Sequence, residues 1–504
     1  MNRTDKVMMN RRLGVLAATL LSTLALLGDG SRSGFLVLHL DFNTLQHRRD
    51  EIVSVLEQAA ADGYTAVLWE IENKVRLDCC PEIAASDAFT KEEFREILRT
   101  AKRLGLEPIP LLQTLGHAEY VLTHARYRAW RELPSCNSCY CPKNPDVIRF
   151  LKRLLVEYLD LFGPDVKRVH LGGDEVWQMG RCPKCRVCDR LALYAEHLNV
   201  FADLLRARGI RPGCWHDMVL QLGEKRGTTA LAEFSGFTIW FWDYAYPSKG
   251  HPWGQSDEPI RKFGQTGCET IICGSSQSWK DDPFLVRYGF HRQNLAACAD
   301  LARKGGISGL CVTSWTIHQG PKRLQIPLYG FAAKRYLNPG EDAEKDWQEM
   351  VCRQFGSLPI EPLDEVTRFE IRYGQADGRG WNGSKDGSVP PCDGLSARFE
   401  NDHAKMVRLA VELEDEARRT ERALAALSGV KQADLTADGH LLVEGANLRL
   451  QLLQAEVRGL RGEGRQEIPY DRTVAFYRKV YPWESARRAA DLVWAYYRET
   501  EANK

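Results

Sequence analysis

The chain has 504 residues and nearly balanced charge, with 68 Lys and Arg against 67 Asp and Glu. This length exceeds one ordinary domain of about 100 to 200 residues, but it accommodates a barrel of roughly 250 residues and a further domain. A net charge of +1 provides no broad electropositive field, which argues against nucleic acid as a partner.

Residues 1–33 have the pattern of a targeting segment. Four basic residues within the first 12 positions precede an apolar run over 13–27, which is too short to cross a bilayer comfortably. The small residues of a clear cleavage site do not follow at 28–31. We therefore expect an exported protein (periplasmic, extracellular or membrane-anchored), with either a cleaved signal peptide or an uncleaved N-terminal anchor.

Eight short β-type segments alternate with helical patterns between residue 34 and residue 340. They are FLVLHLDF (35–42), TAVLWEIE (65–72), EPIPLLQT (107–114), KRVHLGGD (167–174), RPGCWHDM (211–218), FTIWFWDY (237–244), ETIICGSS (269–276) and SGLCVTSW (308–315). Segments with helical apolar spacing lie between them, for example 94–105 and 147–163, and each ends at a Gly. Eight such repeats predict an α/β fold, a (β/α)8 TIM barrel over 34–340.

Beyond residue 340 the pattern changes to long charged helices, over 403–427, 441–462 and 485–499. Apolar stripes and charge pairs four residues apart predict an α-helical C-terminal domain over 341–504, with a role in packing or dimerisation. The stretch 374–395, rich in Gly, Asp and Ser, is interpreted as a loop between helices or an active-site flap.

Carboxylates and indoles accumulate where the predicted strands end, although strand burial alone would favour aliphatic residues there. The C-terminal ends of the strands form the active face of a barrel. The candidate ligand-binding residues at these ends are Asp41, Glu70, His117, Trp215, Asp217, Trp242, Asp243, Trp279 and Trp315.

The segment KRVHLGGDEVW (167–177) carries the most specific chemistry. Gly172 and Gly173 give the backbone freedom to leave the strand, so that the adjacent carboxylates of Asp174 and Glu175 can converge on one ligand. Paired carboxylates at the end of a strand are typical of a sugar-cleaving site, and we predict that Asp174 and Glu175 are catalytic.

Two cysteine-rich segments flank this motif, SCNSCYCP (135–142) and RCPKCRVC (181–188). Loops that leave neighbouring strands meet at one mouth of the barrel, so Cys182, Cys185 and Cys188 are predicted to join Cys136, Cys139 or Cys141 in one cluster. The four residues assigned to a structural Zn²⁺ or to disulfides are Cys136, Cys139, Cys182 and Cys185. No His lies at ligand spacing within either segment, and a catalytic metal is therefore not expected. The odd total of 15 cysteines does not favour simple pairing.

The run HLGGDEVW, together with LLQTLGHAEYVL (111–122) and CPKNPDVIRFL (141–151), resembles the catalytic barrel of glycoside hydrolase family 20, the β-N-acetylhexosaminidases. The segments WEIEN (69–73), WHDM (215–218) and FWDY (241–244) are similar to strands 2, 5 and 6 of the hexosaminidase D-like branch. The resemblance implies an exo-acting enzyme that removes a terminal β-linked N-acetylhexosamine from a glycan or glycoconjugate, with no cofactor for catalysis.

The resemblance also implies roles for the site residues. Glu175 is expected to be the general acid and base, and Asp174 to orient the 2-acetamido group of the substrate. Trp215, Trp242 and Trp315 are expected to wall the sugar pocket. An Arg that most family members carry at the end of strand 1 is absent, as is the W-x-E of strand 8. Hydroxyl recognition is therefore assigned to other groups at the same face, such as Asp41, Glu70 or Asp243, and the gluco or galacto preference stays open.

Two other functions fit the same sequence. The missing Arg and Glu favour a catalytically weak carbohydrate-binding barrel. A metal-dependent hydrolase that uses His39, Asp41 and His170 is a further alternative, although no metal-ligand spacing unites these three residues.

Overall fold

The computed structural model describes residues 34–223, 232–247, 263, 268–278, 281–304, 307–315, 320–368, 403–463 and 468–494. The predicted targeting segment, the stretch 374–395 and Trp279 lie outside the described residues. From Phe35 onward the described residues belong to one compact unit, which contains both the barrel and the C-terminal helices. The proposed boundary at residue 340 stays a prediction.

Eight parallel strands close into a barrel in which each strand pairs with its neighbour in the sequence and β8 pairs with β1. They are β1 (Phe35–Asp41), β2 (Ala66–Glu70), β3 (Glu107–Leu111), β4 (Arg168–His170), β5 (Arg211–Trp215), β6 (Thr238–Trp242), β7 (Glu269–Gln277) and β8 (Gly309–Ser314). Each strand lies within or overlaps a predicted segment, which confirms the (β/α)8 barrel.

Fourteen α-helices are assigned within the described ranges. They are α1 (Arg49–Ala61), α2 (Lys91–Arg103), α3 (Glu119–Leu122), α4 (Pro145–Phe162), α5 (Arg190–Arg206), α6 (Asp217–Gly223), α7 (Tyr288–Ala302), α8 (Lys322–Leu337), α9 (Ala343–Phe355), α10 (Ile360–Val366), α11 (His403–Ser428), α12 (Ala437–Leu460), α13 (Tyr470–Tyr477) and α14 (Trp483–Val493). Short 3₁₀ helices lie at Pro81–Ile83, Ala125–Trp130 and Gln432–Asp434. None of the helices that the structure describes combines the length and the apolar character needed to cross a membrane.

Local sequence signals fix the helices that surround the barrel. In α2, the Thr90 hydroxyl accepts the Glu93 N–H while the Glu93 carboxylate accepts the Thr90 N–H, a capping box that starts the helix. Helix α4 begins with Pro145 after an Asn144 cap and ends at Gly163. Both helices bury one apolar face against the outside of the barrel.

The barrel interior is filled by side chains that alternate inward along the strands. Aliphatic residues such as Val37, Leu68 and Ile109 occupy its middle, and Trp215 and Trp240 lie above them toward the C-terminal ends. These side chains are at most about one per cent exposed. The interior is a packed core, as in other barrels of this type, so a ligand can only bind at the end of the strands.

The C-terminal helices pack against loops at the active face. The Tyr477 hydroxyl donates to the carbonyl of Pro283 at 2.8 Å, and Ser485 Oγ accepts the backbone N–H of Gln46 at 2.8 Å. Arg449 of α12, which is 3% exposed, pairs with Asp282 in the loop after β7 at 2.7 Å. The predicted C-terminal helical region is present, and it holds the loops that follow β1 and β7.

Candidate active site

The loop after β4 carries the two predicted catalytic carboxylates. Strand β4 is only three residues long, because Gly172 and Gly173 turn the chain with φ of 67° and 90°. A Cβ added at Gly173 would lie 2.6 Å from the Tyr194 hydroxyl oxygen, and one at Gly172 would lie 2.1 Å from Oε1 of Gln113. Both positions therefore require Gly, and the turn that presents Asp174 depends on them.

Asp174, Glu175 and His117 form the centre of the site. His117 Nε2 lies 3.2 Å from Asp174 Oδ2 and 3.6 Å from Glu175 Oε2, so one imidazole contacts both carboxylates. The Asp174 side chain is 8% exposed and that of Glu175 is 32% exposed. Asp174 is thus enclosed, whereas Glu175 can reach solvent and exchange protons with water.

The backbone of Glu175 is held in a strained conformation. Its φ is +50°, and that of His117 is +48°, a region that residues with a Cβ rarely adopt. The Glu175 N–H donates to Oδ2 of Asp217 at 2.9 Å, which fixes this conformation. Asp217 is 1% exposed; its burial, followed by the nearby Asp174 charge, raises its pKa well above the usual range. The raised pKa favours the neutral form of Asp217, whose carboxyl serves here as a hydrogen-bonding group.

An aromatic wall borders the carboxylates. Trp242 and Tyr244 stack with ring centroids 5.4 Å apart, and Tyr244 lies 6.4 Å from Trp315. Trp215 is fully buried, 5.9 Å from Trp315, and packs on His170. It supports the wall from below, whereas Trp242 and Trp315 are partly exposed.

Sequence analysis did not identify Tyr244 as a candidate ligand-binding residue. It lies two residues after Trp242, the spacing at which two side chains share one face of a strand. Burial raises the pKa of its hydroxyl well above the usual range, and the charge of Asp174 acts in the same direction. Tyr244 is therefore a neutral hydroxyl within the electrostatic reach of Asp174, and it belongs with the candidate ligand-binding residues.

The ends of β1 and β2 place two buried carboxylates side by side. Burial, followed by the charge of Glu70, raises the pKa of Asp41 to about 6. Glu70 accepts hydrogen bonds from His39 at 3.2 Å and from Gln113 at 2.9 Å. Lys322, which the sequence reasoning missed, supplies a buried cation beside Asp41, and burial lowers the pKa of its amine to about 8.

Asp243 organises the turn after β6. Its Oδ1 accepts the N–H groups of Ala245 at 3.0 Å and of Tyr246 at 3.1 Å, and the side chain is nearly buried. This role in the turn positions the aromatic wall. Direct contact of Asp243 with a sugar stays a prediction, as does any role of Trp279, which lies outside the described residues.

The three residues of the metal-dependent alternative have other partners. His39 contacts Glu70, and Nδ1 of His170 accepts the Gly172 N–H at 2.9 Å. Burial lowers the pKa of His170 well below its usual range. Among the described residues, one group of side chains has metal-ligand spacing, and it contains none of these three.

That group differs from the predicted set of four cysteines. Cys182 and Cys185 lie together as predicted, but their neighbours are Cys141 and Glu132 in place of Cys136 and Cys139. Cys136 Sγ instead contacts the Ser138 hydroxyl, and Cys139 Sγ contacts the Tyr140 carbonyl. No disulfide joins any of the described cysteines.

Comparison with known proteins connects this geometry to one family. Residues 58–271 match the family model described as glycosyl hydrolase family 20, catalytic domain. Human hexosaminidase D is 25% identical over 306 residues, which cover 55% of this chain and 59% of the human protein. Bovine hexosaminidase D is 29% identical over 237 residues, which cover 45% of this chain and 68% of the bovine protein.

Solved structures share the fold. A β-N-acetylhexosaminidase from Bacteroides fragilis aligns with a TM-score of 0.51 and 16% identity, over 64% of this chain and 70% of its own. A chitobiase from Flavobacterium johnsoniae aligns with a TM-score of 0.51 and 15% identity, over 90% of this chain and 78% of its own. The predicted resemblance to the family is confirmed.

Proposed function

We propose that the chain releases terminal β-linked N-acetylhexosamine residues from glycans or glycoconjugates, because residues 58–271 match the model of the glycosyl hydrolase family 20 catalytic domain. The observation that carries the proposal is the arrangement of Asp174 and Glu175 around one imidazole, that of His117, at the active end of the barrel. The relatives named hexosaminidase D support the same activity.

In the proposed reaction the substrate supplies its own nucleophile. The carbonyl oxygen of the 2-acetamido group attacks C1, the glycosidic C–O bond breaks, and Glu175 donates its proton to the leaving oxygen. The cyclic intermediate is cationic at its nitrogen. Water then attacks C1, the bond between C1 and the acetamido oxygen breaks and restores the acetamido group, and Glu175 accepts the water proton. The configuration is therefore retained and Glu175 regains its starting form. The exposure of Glu175 suits a group that exchanges protons with water and leaving groups.

Asp174 has a different role in this scheme. Its enclosed carboxylate would accept a hydrogen bond from the acetamido N–H, turn the carbonyl oxygen toward C1 and stabilise the positive charge that develops on the ring. His117 contacts Asp174 on the other side and limits the directions in which the carboxylate can turn. The raised pKa of the adjacent Asp217 favours its neutral form, which opposes a second negative charge beside Asp174.

The aromatic wall supplies the binding surface in this proposal. Sugar rings present C–H groups to aromatic faces. The partly exposed rings of Trp242 and Trp315 offer such faces on either side of Tyr244, which lies within the electrostatic reach of Asp174. The Tyr244 hydroxyl would serve as a neutral donor to the acetamido carbonyl. Enclosure of the site by these rings suits a single terminal sugar.

The test compares two substrates with different leaving groups, a p-nitrophenyl and an alkyl β-N-acetylhexosaminide. Glu175→Gln should lose about 10² to 10⁴ in kcat on the alkyl substrate, which needs the proton, and far less on the p-nitrophenyl substrate. Asp174→Asn should slow both and should bind a thiazoline analogue of the intermediate more weakly than wild type.

Glu57→Gln is the matched control, since Glu57 is exposed on α1. It should behave as wild type. A wild-type protein that binds the thiazoline but hydrolyses neither substrate would support the binding-only alternative. Equal losses on both substrates for Glu175→Gln would exclude Glu175 as the acid.

A further inference from the structure

Three cysteine sulfurs and one carboxylate meet between the loops that follow β3 and β4. Cys141 Sγ lies 3.7 Å from the sulfurs of both Cys182 and Cys185, and all four ligand atoms, including one oxygen of Glu132, lie within 4.8 Å of one another. We propose that Glu132, Cys141, Cys182 and Cys185 bind one structural Zn²⁺.

The distances fit a metal centre better than a disulfide. Zinc–sulfur bonds are about 2.3 Å long, and the edge of a tetrahedron with that radius is about 3.8 Å. A disulfide would instead bring two sulfurs to about 2.05 Å. The sulfur of Cys141 is equally far from two others, as expected for ligands that share a centre. Zn²⁺ accepts both thiolate and carboxylate ligands, whereas Mg²⁺ and Ca²⁺ prefer oxygen alone.

Glu132 gives the second independent indication. Glu132 is 2% exposed, and its Oε1 accepts the backbone N–H groups of Arg181 at 2.8 Å and of Cys182 at 2.9 Å. Its Oε2 is buried and has no hydrogen-bond partner among the residues that the structure describes. A buried carboxylate oxygen without a partner is costly, and a cation among the sulfurs would satisfy it.

The local backbone has the form of a metal-binding knuckle. The N–H groups of Cys185 and Arg186 both donate to the Cys182 carbonyl, which curls the segment so that Cys182 and Cys185 face the same way. With four protein ligands the site is closed, so it is structural rather than catalytic. Binding would release one proton from each of the three thiols.

The metal would join the two loops that carry the catalytic groups. The Tyr140 N–H donates to the Leu115 carbonyl, and the Ala118 N–H donates to the Ser138 carbonyl, so the Cys141 loop holds the backbone on both sides of His117. Cys182 lies in the same loop as Glu175, shortly after it in the chain. This part of the inference rests on the proposed function: the metal fixes His117 against Asp174 and Glu175.

The first experiment measures metal directly and does not depend on activity. The full chain, purified under reducing conditions without added chelator, should contain about one zinc per chain by inductively coupled plasma mass spectrometry. Cys141→Ser and Cys185→Ser should bring this value close to zero. Cys136→Ser is the matched control from the same loop and should keep one zinc. Reduced metal-free wild type titrated with Co²⁺ should show thiolate charge-transfer bands at one equivalent.

The second experiment needs no variant. A mercurial reagent added to wild type should release zinc to a chromogenic chelator in step with modification of three thiols, and hydrolysis of the aryl substrate should fall in the same step. Release of zinc with unchanged hydrolysis would overturn the link to the catalytic loops while leaving the metal site intact. Wild type without zinc that also fails to bind Co²⁺, or a Cys141 disulfide found by mass spectrometry, would overturn the site itself.

Discussion

Replacement of Asp217 by Ala should damage the site far more than replacement by Asn. Asp217 Oδ2 accepts the Glu175 N–H at 2.9 Å, and this contact holds Glu175 at a φ of +50°. Burial, followed by the charge of Asp174, raises the pKa of Asp217, which favours the neutral form of its carboxyl. An Asn side chain has nearly the same shape, and its carbonyl oxygen can accept the same N–H.

The size of the effect follows from that one hydrogen bond. A buried N–H left without a partner costs about 1 to 3 kcal/mol, which corresponds to about 5- to 150-fold in kcat if the whole cost falls on the transition state. Asp217→Asn should stay within about threefold of wild type. Asp203→Ala, an exposed change on α5, is the control. If Asp217→Asn is as slow as Asp217→Ala and both variants are folded, Asp217 acts through a negative charge and the reasoning is wrong.

The same residue gives a pH dependence of stability with a definite sign. The folded chain keeps the Asp217 proton to a higher pH than the unfolded chain, because the folded pKa is raised. The contribution of Asp217 to the free energy of unfolding should therefore fall as pH rises above about 4, the unfolded value. Asn does not titrate, so Asp217→Asn lacks this loss. In urea unfolding, the free energy of unfolding of the variant should therefore rise relative to that of wild type between acid and neutral pH. A constant difference between the two would contradict the raised pKa.

Two further substitutions test the supports of the site. Gly173→Ala places a Cβ 2.6 Å from the Tyr194 hydroxyl at a φ of 90°. The variant should therefore lose about 1 to 3 kcal/mol in the free energy of unfolding, measured in urea, and should hydrolyse substrate more slowly. Adding Tyr194→Phe removes the hydroxyl and should recover part of both losses. Arg449→Met removes the buried guanidinium that pairs with Asp282 and Glu416. It should lower the free energy of unfolding by about 3 to 5 kcal/mol, and a loss below about 1 kcal/mol would contradict this account.

The barrel could be predicted because its signals are local. Each strand is a short apolar run bounded by turn residues, and the eight runs recur at the spacing of strand–helix units. The early end of β4 was also readable, since Gly172 and Gly173 interrupt the run. The position of the two carboxylates was readable for the same reason: Asp174 and Glu175 are adjacent in the sequence, and their position needs only the end of one strand.

Contacts between distant segments could not be predicted in the same way. Spacing within the cysteine segments did not indicate that Cys141, rather than Cys136 or Cys139, would face Cys182. Glu132 lies 50 residues before Cys182, and its burial depends on how two loops pack. The complete burial of Trp215 was equally hidden, because an indole at a strand end can point into the core or into a ligand pocket.

Backbone strain at the site has no signature in the sequence. Within the described residues, Glu72, His117 and Glu175 are the residues other than Gly that adopt a positive φ, and two of these three contact each other. Each such conformation costs about 1 to 3 kcal/mol, which local preferences oppose. Glu175 is held there by Asp217, 42 residues later in the chain, so its geometry is imposed by the closed barrel. The rigid barrel therefore positions Glu175, the proposed acid, and changes that loosen the loops should reduce catalysis before they unfold the chain.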